Sequence, residues 1–251
     1  MILTRKQLTF GLIFWFILWD LVRRIAFKDS DLFPSTLSIL INMFDLFFIS
    51  RKIYYHLFSS LTRFFIACAF AIPIGYGLGI IAASNRLARI LMQSIVSLTY
   101  PLPKVALIPI ILILFGTGDF SKIVLIYLGV FYLIYLNVFH RASELLNGSY
   151  KDILQVYQVH GKNYWYDFLI KGTYSSFLIG LKMALGYGLT LVVVSEMSLS
   201  NSGMGYFIWS AWDSYRMLDM YSGVCIIAII SLFINYFCDK LIGRQQLKTY
   251  F

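Results

Sequence analysis

The residues able to do chemistry are few, and most stand where chemistry is costly. Tyr100-Pro101-Leu102-Pro103-Lys104, with Pro109 beyond it, sets three prolines and a cation inside an apolar stretch. Each proline removes a backbone donor and clashes with the preceding turn. Such backbone is tolerated within a bilayer only where it is buried in protein or lines a watery cavity. A lysine at that depth is costly unless paired or wet. Pro101, Pro103, Lys104 and Pro109 are therefore candidates for a translocation pathway, with a simple kink and a snorkelling lysine as the plainer readings. Lys182 and Asp20 are the other deep ionisable residues. The three share neither a face nor a span, and no nucleophile-and-base motif accompanies them, which disfavours an intramembrane enzyme. His56, His140 and His160 fall near span ends or in loops without a second ligand at metal spacing, so no metal is expected. Cys68, Cys225 and Cys238 sit in apolar runs with no C-x-x-C and read as buried thiols. Gly161-Lys162 is followed by Asn163, with no glycine five places before, so the chain has no phosphate-binding P-loop. If ATP drives this protein, a partner must bind it together with its Mg.

The elements that position these residues follow from composition. Of 251 residues, 59% are hydrophobic and 13% charged, and mean hydropathy is +0.75. Soluble domains carry roughly 25% charged residues to wet their surface, and 18% aromatics is too much apolar surface for a solvated coil. The chain reads as an integral all-α membrane protein. Its net charge of +9 is spread between apolar runs and is no nucleic-acid stripe.

Six stretches approach the roughly 20 residues that a bilayer crossing asks for: 8–27, 61–83, 98–115, 123–140, 174–197 and 221–242. The first lacks a small-x-small cleavage site and runs instead into Asp20, Arg23 and Arg24, so it reads as a retained helix whose charges pair or snorkel. With both termini inside, eleven Lys and Arg fall on the cytoplasmic side and eight outside, a modest vote for that orientation; the loop 84–89 and the basic tail are its clearest parts. Between the first two spans, 35–48 reads as an amphipathic helix on the membrane, entered through Pro34. No linker divides the chain, so 1–251 reads as one domain.

Small residues mark packing faces: Gly75 and Gly79 form G-x-x-x-G, and Gly180, Ala184 and Gly188 repeat at four-residue steps. The polar stretch 141–173 contains a short amphipathic helix near 150–160 with Gly161 as its C-cap. It reads either as a helix that docks into a partner or as one resting on lipid headgroups.

At this point three stretches resemble the permeases of nitrate/sulfonate/taurine-type bacterial ABC importers, a class of binding-protein-dependent permeases. They are Tyr100–Asn137 with its Pro-Leu-Pro-Lys and Leu114-Phe115-Gly116-Thr117-Gly118; Gly180-Leu181-Lys182-Met183-Ala184-Leu185-Gly186 followed by Val194-Ser195-Glu196 and Ser202-Gly203-Met204-Gly205-Tyr206; and Leu32-Phe33-Pro34-Ser35. The family's cytoplasmic Glu-Ala-Ala triplet reads Gln155-Val156-Tyr157 here, and its Leu-Pro ending is absent, while Trp165 and Phe168 fit.

The resemblance implies a MetI-like bundle of six transmembrane helices in the bacterial inner membrane. It implies coupling to the ATPase through Asp152, Gln155, Val156, Tyr157, Gly161 and Trp165, with Lys104 and the prolines along the pathway. Gly116 and Gly118 would form an outer turn, and Glu196 would sit near the outer end of the fifth span, in the pathway or as a cap or pair. Expected partners are two cytoplasmic ATPase subunits that hold ATP and Mg, a second copy of the chain, an extracytoplasmic solute-binding protein and the lipid bilayer. Nucleic acid is not among them. The expected solute is small: a sulfonate, nitrate, taurine or pyrimidine-like molecule. A passive channel or membrane scaffold is the alternative with an equally apolar sequence.

Overall fold

The computed structural model describes residues 5–27, 32–147, 161 and 164–249. Its described elements are helices throughout: α1 Arg5–Ala26; α2 Thr36–Phe44, prolonged by a π turn at Asp45–Ile49; α3 Ile53–Ser84; α4 Arg86–Thr99; α5 Ile108–Phe115 after a 3-10 turn at Lys104–Leu107; α6 Asp119–Asn147; α7 Lys171–Leu199 after a π turn at Tyr164–Ile170; α8 Met204–Asp213; and α9 Met217–Thr249. Five of the six expected spans fall on one helix each, α1, α3, α6, α7 and α9. Four of them, α3, α6, α7 and α9, are long and apolar enough to cross a membrane, and the α4–α5 pair makes a fifth if it is one broken span.

The centre of the bundle is α6, which packs along α3 on one side and α7 on the other. Its inner face is a ladder of stacked rings at i, i+4 spacing: Tyr127, Phe131, Tyr135 and Phe139, with centroids 5.6–5.9 Å apart. The neighbouring helices meet the α6 backbone and its other side chains through small residues. A Cβ on Gly75 would lie 3.1 Å from the Phe131 carbonyl, and one on Gly79 would lie 3.0 Å from Val138. Gly180 faces Asn137, Gly188 faces Val130 and Phe64, and Ala184 is fully buried. Backbones approach closely here because van der Waals packing, rather than exclusion of water, holds helices together in lipid.

A second, smaller core caps one end of the bundle. Leu46 and Ile53 meet Met204, Phe207, Ile208 and Ile226 there, so that α2, α8 and the start of α9 form a plate across the long helices. The expected amphipathic helix at 35–48 is this α2. Ser35 is its N-cap, accepting from the Ser38 N–H at 3.1 Å, and Asp20 adds a second cap by accepting from the Thr36 N–H at 3.1 Å. Asp20 thus serves a neighbouring helix, and Arg23 donates to the Phe33 carbonyl at 2.9 Å. The expected pairing of Asp20 with Arg23 or Arg24 does not form among the described residues, because the backbone of 33–36 is the nearer partner for both charges.

Two further expectations are corrected. The loop at 84–89 shrinks to Asn85, which caps α4 by accepting from the N–H groups of Leu87 and Ala88. Arg89 turns back and donates to the carbonyls of Ala82 and Ala83 at the end of α3, where cations are favoured by the helix dipole. The expected third span at 98–115 is not one helix. Its start belongs to α4, and α4 and the following turn with α5 meet at 93°, because the prolines at 101 and 103 deny the backbone a continuous ladder.

Candidate functional site

The bend places Lys104 under the end of α4. Its ammonium donates to the carbonyls of Thr99, Tyr100 and Leu102 at 2.8, 3.0 and 3.1 Å, which engages all three of its protons. It also lies 4.6 Å from the centre of the Tyr132 ring, and it is 4% exposed. The prolines and the helix end leave the Tyr100 and Leu102 carbonyls without backbone donors, and Thr99 with only the Leu102 N–H at 3.3 Å, so the cation and the break solve each other's desolvation. Pro109 sits in the first turn of α5, where a missing N–H costs nothing. Gly116 ends α5 at φ +77°, and the Ser121 hydroxyl donates to its carbonyl.

Glu196 belongs to a different constellation, at the end of the bundle covered by the α2–α8 plate. It is fully buried, and Arg63, which charge counting alone puts outside, is buried beside it at 4% exposure. Arg63 Nη1 donates to Glu196 Oε1 at 2.6 Å and to the Ser202 carbonyl at 3.0 Å. Its Nη2 donates to Ser202 Oγ at 2.8 Å, and Nε donates to Asp119 Oδ1 at 2.9 Å. Glu196 also accepts from the Ser60 hydroxyl, 2.7 Å from Oε2, and from the Gly205 N–H at 3.0 Å. Ser60 in turn accepts from the Met204 N–H at 2.7 Å. One guanidinium therefore ties α3, α6, α7 and the turn between α7 and α8. A buried ion pair is worth keeping only when its remaining donors and lone pairs are satisfied, and here they are.

The Ser-Gly-Met-Gly-Tyr segment makes that closure sterically possible. Gly203 has φ +112°, and a Cβ on it would fall 2.2 Å from the Glu196 carboxyl carbon; one on Gly205 would fall 2.1 Å from the Val193 carbonyl. Only glycine lets the backbone lie over the carboxylate and aim the Gly205 N–H at it. The Gly203 N–H reaches His56 Nδ1 at 3.3 Å, so that nitrogen is the acceptor and the ring is the Nε2–H tautomer. No cluster of metal-ligating side chains occurs among the described residues.

Outside this network, Lys122 is 7% exposed and lies 3.5 Å from Asp119 Oδ1. A cleft of about 560 Å³ opens beside Arg63, Asp119 and Lys122, with Asn201 and Trp209 on its wall. Lys182 pairs with Asp239 at 2.5 Å between α7 and α9. Lys104 and Glu196 share no partner, so the expected pathway residues fall into two separate groups. Of the expected coupling residues, Gly161 has φ +63° and is exposed, and Trp165 is 48% exposed; Asp152, Gln155, Val156 and Tyr157 lie outside the described residues. Arg63 and Lys122 are the site residues that sequence reasoning missed. The signal available for Arg63 was a single cation ten residues into α3 among Leu61, Phe64 and Phe65.

The fold is a multi-pass helical bundle with one proline-broken crossing. The family of binding-protein-dependent transport system inner membrane components matches residues 75–246, and the chain belongs to it. It is thus the inner-membrane, membrane-spanning subunit of an ABC importer. The chain is similar to the taurine transport system permease protein of Escherichia coli K12, 28% identical over 75% of this chain and 68% of that protein. A putative aliphatic sulfonates transport permease protein of Bacillus subtilis 168 is 22% identical over 92% and 83%. A nitrate import permease protein of Synechocystis is 24% identical over 72% and 66%.

Proposed function

We propose that two copies of this chain form the pathway of an ATP-driven importer, with both termini in the cytoplasm. Two ATPase subunits, which hold ATP and Mg, dock on the segment 152–161, and an extracytoplasmic binding protein delivers the solute to the Arg63 end of the bundle. The observation that carries this reading is the family match across residues 75–246, which spans the broken crossing, the docking segment and the Glu196 turn together. The names of the similar permeases point to a small solute, a sulfonate, taurine or nitrate, with a pyrimidine-like molecule also within the class. ATP-driven closure of the ATPases alternates access by shifting the population between two packings of the bundle.

The test is uptake into proteoliposomes holding the chain, its co-purifying ATPase and its binding protein. Radiolabelled taurine is to accumulate only with internal ATP and binding protein present, and Gly161→Trp is to abolish accumulation while the chain still inserts and purifies. Flux that is independent of ATP would instead identify a passive channel, and purification without any ATPase together with a silent Gly161→Trp would overturn the reading.

A further inference from the structure

The cleft beside Arg63 contains two buried cations and a single exposed carboxylate between them. Arg63 and Lys122 are 4% and 7% exposed, whereas the Asp119 side chain is 64% exposed. Asp119 meets both cations through one oxygen. Its Oδ1 lies 2.9 Å from Arg63 Nε, 2.8 Å from Arg63 Nη2 and 3.5 Å from Lys122 Nζ. The other contacts of Lys122, with the carbonyls of Thr117 and Gly118, are also 3.5 Å long. Charge-assisted bonds are about 2.7–2.9 Å, so Lys122 is a buried ammonium with no close acceptor. Lys104, also buried, has three. The difference is the cleft of about 560 Å³ that Lys122 lines and to which Asn201 contributes a polar wall.

An ion with two or three oxygens on one centre fits this arrangement better than Asp119 does. It can take the Nε–Nη2 edge of the guanidinium with two oxygens, the fork geometry that arginine offers, and turn another toward Lys122. Exchange with Asp119 leaves the local charge unchanged. It is also cheap for the aspartate, which is already largely hydrated.

We propose that this cleft is a binding site for a small oxyanion, sulfonate-like or nitrate-like, which seats on Arg63 and Lys122 by displacing the Asp119 carboxylate into solvent. The proposal rests on the transport reading above for its role, and it names the solute class that the permease itself recognises. Asp119 is then a built-in competitor that holds the site closed until the anion arrives, while Glu196 keeps Arg63 in place throughout.

The experiment uses the purified full chain in detergent. Chloride is exchanged for methanesulfonate at constant ionic strength while tryptophan emission is followed, with Trp209 on the cleft wall as the reporter. The expected result is a saturable change that is lost in Trp209→Phe. Lys122→Gln is to raise the midpoint at least tenfold. Asp119→Asn removes the competitor from an exposed position and is to lower the midpoint about fivefold, the weight of a partly exposed ion pair; a purely structural aspartate predicts no such gain. No saturable change in either the wild type or Asp119→Asn overturns the proposal, as does an Asp119→Asn midpoint that is unchanged or raised. A signal that survives both Trp209→Phe and Lys122→Gln overturns it as well. ATP-driven uptake with a silent titration removes the site and leaves the transport reading intact, and a saturable titration without uptake does the reverse.

Discussion

Replacing Glu196 with glutamine keeps the shape of the side chain and removes its charge at a fully buried point of the molecule. Every neighbour of the carboxylate is a donor: Arg63 Nη1, the Ser60 hydroxyl and the Gly205 N–H. The glutamine amide must therefore point its NH2 at one of them, and a buried donor left without an acceptor costs about 1–3 kcal/mol. Arg63 meanwhile loses its buried counter-charge. Removing one partner of a buried pair costs about 3–5 kcal/mol, but Asp119 still neutralises part of Arg63, so the lower figure applies. A loss of about 3 kcal/mol corresponds to a fall in Tm of about 6–12 °C for a chain of this size. Thermal unfolding of the detergent-solubilised protein, followed by tryptophan emission, measures it. The Arg63→Gln variant completes a double-mutant cycle, and the double variant is to lose at least about 1 kcal/mol less than the sum of the singles. A Glu196→Gln protein that melts within about 1 °C of the wild type, or singles that add, would refute the account of this pair.

Three further outcomes are expected. Gly203→Ala drives a Cβ to 2.2 Å from the Glu196 carboxyl carbon at φ +112°, and because Glu196 has no room to yield, it is to lower Tm at least as far as Glu196→Gln does. Lys104→Met leaves the carbonyls of Tyr100 and Leu102 without their donor, and Thr99 with only the Leu102 N–H, and is to cost about 3 kcal/mol; limited proteolysis at the α4–α5 bend reads the loosening directly. Gly79→Leu wedges α3 away from Val138 and the Tyr135 carbonyl and is to destabilise by about 1–3 kcal/mol, whereas Gly77→Leu, with open space beside it, is to be silent in the same melt.

The parts of this fold that are legible in the sequence are those set by local chemistry. Apolar run lengths locate the long helices, and Pro101 and Pro103 mark the break because a proline's effect is confined to its own turn. The glycines of the 202–206 segment mark a close approach but not what is approached. What stayed hidden depends on distant partners. Arg63 meets Glu196 from 133 positions away, and no periodicity within α3 reveals that α8 roofs it over. Lys104 is conspicuous beside its prolines, yet its partners are backbone carbonyls, which every residue possesses and none advertises. The run of α4 from Arg86 is obscured by its own charges, since Arg86 and Arg89 resemble a cytoplasmic loop until Arg89 is seen capping the end of α3.

The spread of the Arg63 partners along the chain also bears on how the protein is made. Synthesis delivers α3 first, Asp119 follows 56 residues later, and Glu196 emerges only after two further crossings. Chains acquire their contacts in that order during translation, so for most of its biogenesis Arg63 has no buried carboxylate to meet. Of its two anionic partners, Asp119 is the first to be synthesised. The permanent pair closes only when α7 is in place and the Gly203–Gly205 backbone folds over it, which makes that turn the last fastening of the Arg63 network.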